Sequence, residues 1–130
     1  MHSAGKLRLG RGLLQHLQRL AMSEKEKVGV CIGTGSTISA LVPAENVLSS
    51  PVEFLADPLD IIAAHELAEN LRVSVVALYH THPMGGPVPS VKDQEGMKFW
   101  PLPWIIASRG DVKAWVLEGG QVKEVTIEVV

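Results

Sequence analysis

The 130-residue sequence lacks the features that mark secreted, disulfide-stabilised and membrane-spanning proteins. Its single cysteine, Cys31, excludes an internal disulfide and is consistent with a reducing compartment. No apolar run approaches the roughly 20 residues that span a bilayer, and residues 1–12 lack the apolar stretch of a secretory signal. We therefore predict a cytoplasmic protein.

An excess of basic residues is also missing. The 12 basic and 14 acidic residues give a net charge of -2, so there is no basic footprint for nucleic acid and no polybasic segment for a membrane surface. The remaining composition is that of a globular protein, with 46% hydrophobic and 20% charged residues. Because the chain has neither repeats nor linkers, we predict a single domain over residues 1–130.

Hydrophobic periodicity predicts short helices alternating with strands. Leucines at helical spacing predict a helix over 11–22, and Asp57 followed by Pro58 is typical of the capped start of a helix, which would end near residue 71. Residues 44–57 are expected to be irregular or to form an edge strand. Strands are predicted at 27–33, 36–43, 73–80, 103–108, 112–118 and 121–130, and a short helix from 90. This order predicts an α/β fold with a mixed β-sheet flanked by helices.

His80 ends the strand predicted at 73–80, and His82 follows two residues later. Residues i and i+2 of a strand point to the same face, so His80 and His82 can direct both imidazoles to one point while Thr81 faces away. For two such histidines alone, the structural alternative is favoured: one would be a core histidine and the other a loop residue. The pair therefore suggests a metal site without establishing one.

Ser90 and Asp93 have the spacing of a capping box at a helix start. A helix placed by the loop 83–89 could also bring the Asp93 carboxylate to the two histidines. Two imidazoles and one carboxylate leave a fourth tetrahedral position open, as in catalytic zinc sites. A structural zinc site would usually need cysteines, and Cys31 alone cannot supply them.

A metal-activated water needs a general base, and two glutamates precede the strand predicted at 27–33. For both Glu24 and Glu26, composition alone favours a solvated charge. A rival metal motif, "HELAE" at 65–69, lacks the second histidine and third ligand of the zincin pattern, so we interpret it as the polar side of a helix. Cys31 is expected to pack in the core rather than act as a nucleophile.

Taken together, "HTHPMGGPVPSVKD" resembles the H-x-H-x7-S-x-x-D signature of the JAMM (MPN+) metalloprotease family, with Thr81 where serine is commoner. Upstream, "EKVGVCIG" is similar to the family's E-x-x-G-x-x-x-G strand and places the family's catalytic glutamate at Glu26 rather than Glu24. "AENV" and "FLADP" extend the similarity over nearly the whole chain. The resemblance implies an α/β core related to the cytidine deaminase fold, of the compact archaeal and bacterial type.

The resemblance also implies a function. One catalytic Zn²⁺ would be held by His80, His82 and Asp93, with Glu26 as general base and Ser90 donating to the oxyanion. The reaction would be hydrolysis after the C-terminal Gly-Gly of a ubiquitin-like protein. The alternatives are processing of a sulfur-carrier protein adduct and a non-catalytic MPN-type interaction scaffold. The chain lacks room for the long insertions that select ubiquitin linkages, and the oligomeric state stays open, with a dimer among the options.

Overall fold

The structure is a computed structural model that describes residues 5–130. The prediction that the N-terminus carries no apolar leader rests partly on residues 1–4, which lie outside the described residues. The described chain contains three helices and seven strands. The helices are α1 (Arg11–Leu20), α2 (Pro58–Asn70) and α3 (Val91–Met97). The strands are β1 (Lys6–Leu9), β2 (Val28–Thr34), β3 (Thr37–Ala44), β4 (Ser74–His82), β5 (Trp104–Ser108), β6 (Val112–Glu118) and β7 (Gln121–Val129).

The strands form one sheet in the order β1-β3-β2-β4-β5-β6-β7, and the sheet closes because β1 pairs with both β3 and β7. Both pairings of β1, and that of β4 with β5, are parallel, whereas the other neighbouring strands are antiparallel. This confirms the predicted mixed sheet. The closure was not predicted; its β1–β3 side rests on one register pair, Arg8 with Thr37.

Strand β1 corrects the predicted order, which began with a helix. It spans four residues, and only Leu7 and Leu9 are buried. Two apolar residues are too few for a strand period to be recognised in the sequence. The strand is fixed instead by parallel pairing with β7, from Lys6 opposite Thr126 to Leu9 opposite Val129. Its partner thus lies at the other end of the chain, where local sequence gives no sign of it.

Two apolar clusters lie on opposite faces of the sheet. One contains Cys31 and Tyr79 and is covered by α1, whose Leu17 is fully buried. The other contains Val30 and Leu78 and is covered by α2, through its small buried alanines. Neighbouring residues of β2 and β4 therefore alternate between the two clusters, as the strand period requires.

The connection before α2 is irregular, with one isolated bridge between Asn46 and Ala56. The start of α2 agrees with the prediction, because the Asp57 side chain accepts a hydrogen bond from the Leu59 amide and Pro58 occupies the first turn. Along residues 5–130, no helix has the length and apolar character needed to cross a membrane.

Candidate metal centre

Strand β4 places both histidines on the face that α2 and α3 cover. It runs to His82, so His82 is a strand residue like His80, and their Nε2 atoms lie 3.1 Å apart. His80 is fully buried; its ring lies against Phe54, with centroids 4.5 Å apart, and meets Trp104 edge-on at 5.6 Å. No described group hydrogen-bonds to Nδ1 of His80. Packing between two aromatic rings therefore sets the orientation of this imidazole.

His82 is oriented by a hydrogen bond instead. Its Nδ1 lies 2.9 Å from the carbonyl oxygen of Gly86, which can only accept, so Nδ1 carries the proton in this contact. Nε2 then faces the other site residues, 3.0 Å from Oδ2 of Asp93, and it is the nitrogen that would bind a metal in place of its proton. The loop 83–89 thus has a second role besides spacing, because it supplies the backbone acceptor that fixes the ring.

The start of α3 delivers the carboxylate. Ser90 is the N-cap, its Oγ accepts a hydrogen bond from the Asp93 amide at 3.0 Å, and Asp93 Oδ2 accepts one from the Ser90 amide at 2.9 Å. The predicted capping box is therefore confirmed. The same Oδ2 atom lies 3.2 Å from Nε2 of His80 and 3.0 Å from Nε2 of His82. The helix cap and the two histidines meet at one oxygen atom.

The spacing of these three atoms fits a small tetrahedral cation. Zinc bound to nitrogen or oxygen at about 2.0–2.1 Å holds its ligand atoms roughly 3.3 Å apart. The three separations here lie between 3.0 and 3.2 Å. Burial lowers the pKa of His80 and keeps its imidazole neutral, whereas the pKa of Asp93 falls because hydrogen bonds from His80 and His82 outweigh its burial. Burial lowers the pKa of His82, but its hydrogen bonds to Asp93 and to the Gly86 carbonyl outweigh burial and raise it overall. Neutral imidazole and ionised carboxylate are the forms that bind metal, so a cation would take the place of the protons that the two Nε2 atoms donate to Asp93 in the metal-free chain.

Glu26 completes the cluster, whereas Glu24 is exposed. The β2–β4 register pairs Val28 with His80, so its continuation past the start of β2 brings Glu26 opposite His82. Ligand atoms of Glu26, His80 and His82 lie within 4.8 Å of one another. Glu26 is 4% exposed, and no described group hydrogen-bonds to its Oε1.

The environment of Glu26 changes its acidity. Burial raises its pKa to about 7; His82 opposes the rise, and the negative charge of Asp93 adds to it. A carboxyl group with a pKa near neutrality can both take up and release a proton under physiological conditions, which is the requirement for general acid–base catalysis. The rival carboxylates and histidine of "HELAE" lie elsewhere, on α2, where His65 is exposed and its Nδ1 contacts the Ile61 carbonyl.

A cleft of about 290 Å³ opens over this cluster. Its walls include Glu26, His82 and Ser90, together with the exposed apolar side chains of Val52 and Met84. The Ser90 hydroxyl accepts the bond from the Asp93 amide, so its own proton is available to a molecule in the cleft.

A separate apolar cavity has a volume of about 510 Å³. It lies beside α2 and α3, and Phe54 and Trp104 form part of its wall. These two rings are the side chains that hold His80, and sequence reasoning missed both. Phe54 begins the "FLADP" stretch of the resemblance, but no role follows from that for either ring, because an aromatic residue in a loop or a strand normally indicates only core packing.

Comparison with known proteins finds a matching family and several relatives. A family model described as prokaryotic homologs of the JAB domain matches residues 11–118. A desampylase of Pyrococcus furiosus is 39% identical over 115 residues, 87% of this chain and 82% of that protein. A probable TtuB-protein conjugate cleaving protease of Thermus thermophilus is 34% identical over 113 residues, 85% of this chain and 76% of that protein. The solved structure of a JAB1/MPN domain protein of Archaeoglobus fulgidus has a TM-score of 0.63 at 21% identity and covers 95% of this chain and 99% of that one, which concerns the fold alone.

Proposed function

Because the chain belongs to the family of prokaryotic JAB-domain proteins, we propose that it is a zinc-dependent isopeptidase that cleaves after the C-terminal Gly-Gly of a ubiquitin-like modifier. The observation that carries this proposal is the convergence of one Asp93 oxygen and two histidine nitrogens beside the buried carboxyl of Glu26. The two relatives whose names refer to removal of protein conjugates support the substrate class.

In this proposal His80, His82 and Asp93 hold the zinc ion. A zinc ion bound by three protein ligands supplies a Lewis acid and lowers the pKa of water from 15.7 to about 7. Three ligands without cysteine suit a catalytic rather than a structural zinc site.

Glu26 acts as the general base and then as the acid. Its carboxylate takes a proton from the attacking water and returns it to the amine of the departing lysine or α-amino group. The oxygen that has no hydrogen-bond partner among the described residues is free to carry this proton. A pKa raised to about 7 by burial suits both transfers near neutral pH.

Ser90 stabilises the negative charge that develops on the carbonyl oxygen of the scissile bond. Its Oγ is held in place by the amide of Asp93, and its proton can be donated into the cleft. Loss of one such donor in other enzymes lowers kcat by roughly 10²- to 10³-fold.

The surface around the cleft suits an extended protein tail. Val52, Met84 and Val88 line the cleft and are 65%, 70% and 56% exposed, so apolar surface surrounds a polar floor. A tail that ends in two glycines has no side chains to collide with the metal ligands. Exposed apolar side chains grouped around a cleft are typical of a protein-binding site.

A direct test uses the zinc-loaded protein and a ubiquitin-like domain fused through its Gly-Gly end to a reporter. We expect cleavage that stops in the presence of chelator and returns when zinc is restored. Glu26→Gln should lower kcat by at least about 10²-fold, whereas Glu24→Gln, a matched change at an exposed position, should leave kcat unchanged. Cleavage that survives chelation, or Glu26→Gln at full activity, would overturn the mechanism.

The same assay separates the remaining candidates. A sulfur-carrier adduct cleaved much faster than a modifier–lysine conjugate would favour processing of sulfur carriers. Zinc bound at one per chain, with no cleavage of any Gly-Gly substrate, would favour an interaction scaffold. The presence of Glu26 and Ser90 in the cleft argues for an enzyme, since a scaffold has no need of either.

A further inference from the structure

The peptide group that joins Glu26 to Lys27 is held at both its ends by two polar side chains that the proposed chemistry does not use. At its N–H end, Thr81 accepts a hydrogen bond from the Lys27 amide at its Oγ1 atom, 2.8 Å away. The Thr81 amide in turn donates to the Lys27 carbonyl at 2.9 Å. Thr81 is fully buried and lies between the two histidines of β4. It therefore ties the histidine-bearing strand to the residue that follows Glu26.

Asn46 holds the carbonyl end of the same peptide group. Its Nδ2 group donates to the carbonyl oxygens of Glu26 and Glu53, both at 3.0 Å. Its Oδ1 atom accepts from the amides of Leu55 at 2.9 Å and Leu48 at 3.2 Å. An amide side chain has two donor hydrogens and two acceptor lone pairs. All of these are used, so one side chain joins the loop 46–55 to the backbone of Glu26.

Glu26 depends on these contacts because it precedes β2, which begins at Val28. The ladder of that strand therefore does not hold Glu26. The Glu26 amide donates to the Ser50 carbonyl at 2.8 Å, within the loop that Asn46 organises. Its carbonyl accepts from Asn46 itself. Both backbone groups of Glu26 are thus fixed through the loop.

Asn46 also reaches the metal-binding side of the site. Two of its contacts, the Glu53 carbonyl and the Leu55 amide, lie on the residues immediately before and after Phe54. The Phe54 ring packs against His80 with centroids 4.5 Å apart. Asn46 thus anchors one loop at two points, on both sides of Phe54 and at the carbonyl of Glu26.

We propose that Asn46 and Thr81 are positioning residues that fix the carboxyl of Glu26 over the metal centre, because they hold both ends of the peptide group that follows it. The inference rests on the proposed function, in which Glu26 is the base. Catalytic groups must be held within a fraction of an ångström, and a displacement of about 1 Å can lower the rate by about 10²-fold. Neither residue contacts a reacting atom.

Nearly isosteric variants test the role. Thr81→Val keeps the branched shape and removes the acceptor, whereas Thr81→Ser keeps the acceptor. Asn46→Asp keeps the Oδ1 acceptor and removes both donated hydrogen bonds. A control in the same loop is Ser50→Ala, which removes the bond from the Val52 amide to Ser50 Oγ but leaves the backbone contact to Glu26.

We expect Thr81→Val and Asn46→Asp to lower kcat by roughly 10- to 100-fold, with KM and bound zinc close to the unmodified protein. Thr81→Ser should restore kcat to within about threefold, and Ser50→Ala should resemble the unmodified protein. In a Glu26→Gln background, with residual turnover followed over long incubations, neither substitution should lower kcat further. Full additivity there would overturn the inference, because a residue that acts through Glu26 has nothing left to position.

Crystal structures of the zinc-loaded variants give a second readout that does not depend on activity. We expect the Glu26 carboxyl to move relative to the two histidines in Thr81→Val and Asn46→Asp, and to stay in place in Thr81→Ser. An unmoved carboxyl in both variants would overturn the inference whatever the kinetics. If the unmodified protein cleaves no Gly-Gly reporter, the proposed function fails, and the positioning role is then decided by this displacement alone.

Discussion

Replacing the buried carboxyl of Glu26 by an amide should stabilise the metal-free protein, and more strongly as the pH rises. Glu26 is 4% exposed, and burial raises its pKa from 4.5 to about 7. The folded chain therefore binds a proton at Glu26 more tightly than the unfolded chain does. Stability from this preference is complete below pH 4.5 and is lost as the pH rises through 7.

The size of the effect follows from the two pKa values. A tenfold change in proton affinity corresponds to about 1.4 kcal/mol. Relative to a side chain that cannot ionise, Glu26 should therefore lower the free energy of unfolding by about 1 kcal/mol at pH 5 and by about 3 kcal/mol at pH 8. Glu26→Gln cannot ionise and avoids this cost. A site that needs a base here thus lowers the stability of the chain that carries it.

Urea unfolding in the presence of chelator measures the difference. The free energy of unfolding of Glu26→Gln should exceed that of the unmodified protein by about 1 kcal/mol at pH 5 and about 3 kcal/mol at pH 8. Glu24→Gln, at an exposed position, should stay within about 0.5 kcal/mol at both pH values. An equal gain for Glu26→Gln at the two pH values would refute the reasoning.

Further predictions concern the fold around the site. Gly33→Ala should lower the melting temperature by several degrees, because its Cβ would lie 1.9 Å from the Thr37 carbonyl oxygen, whereas Gly12→Ala, in open space on α1, should raise it slightly. The thiol of Cys31, fully buried and with its pKa raised by burial, should resist a colorimetric thiol reagent until the protein is unfolded in urea. Trp115→Phe removes an indole bond of 2.8 Å to the loop 83–89 and should cost about 1 kcal/mol in urea unfolding; an unchanged midpoint would contradict that role.

Local sequence was sufficient to predict the helices whose starts are marked by capping residues or by proline. The start of α2 at Asp57 and Pro58 and the capping box at Ser90 carry their own side-chain partners within three residues. The strand β1 and the closure of the sheet depend instead on pairing between chain ends, which one sequence does not encode in any window. The comparisons confirm the family resemblance, which predicted more of the fold than hydrophobic periodicity did.

Some residues of the site could likewise be predicted from the sequence, and others could not. The spacing of His80, His82 and Asp93 is short enough to be recognised as a motif, and the structure brings these residues together. Their catalytic and metal-binding roles stay predictions. Asn46 lies in the "AENV" stretch of the resemblance, but its proposed role could not be predicted, because its contacts are with backbone groups spread over a loop. The sequence predicts that Thr81 faces away from the two imidazoles and gives it no further role, but its hydroxyl accepts a hydrogen bond from the Lys27 amide.

In the proposed metal site, the capping box would give the first turn of α3 a role in cation affinity. Oδ2 of Asp93 receives the Ser90 amide and also faces the two histidines, so folding of the helix orders the carboxylate before a cation arrives. The conformational entropy of that side chain is lost during folding rather than during binding. A substitution that frays this turn should therefore weaken cation binding without touching any ligand. Helix stability and cation affinity are coupled through one oxygen atom.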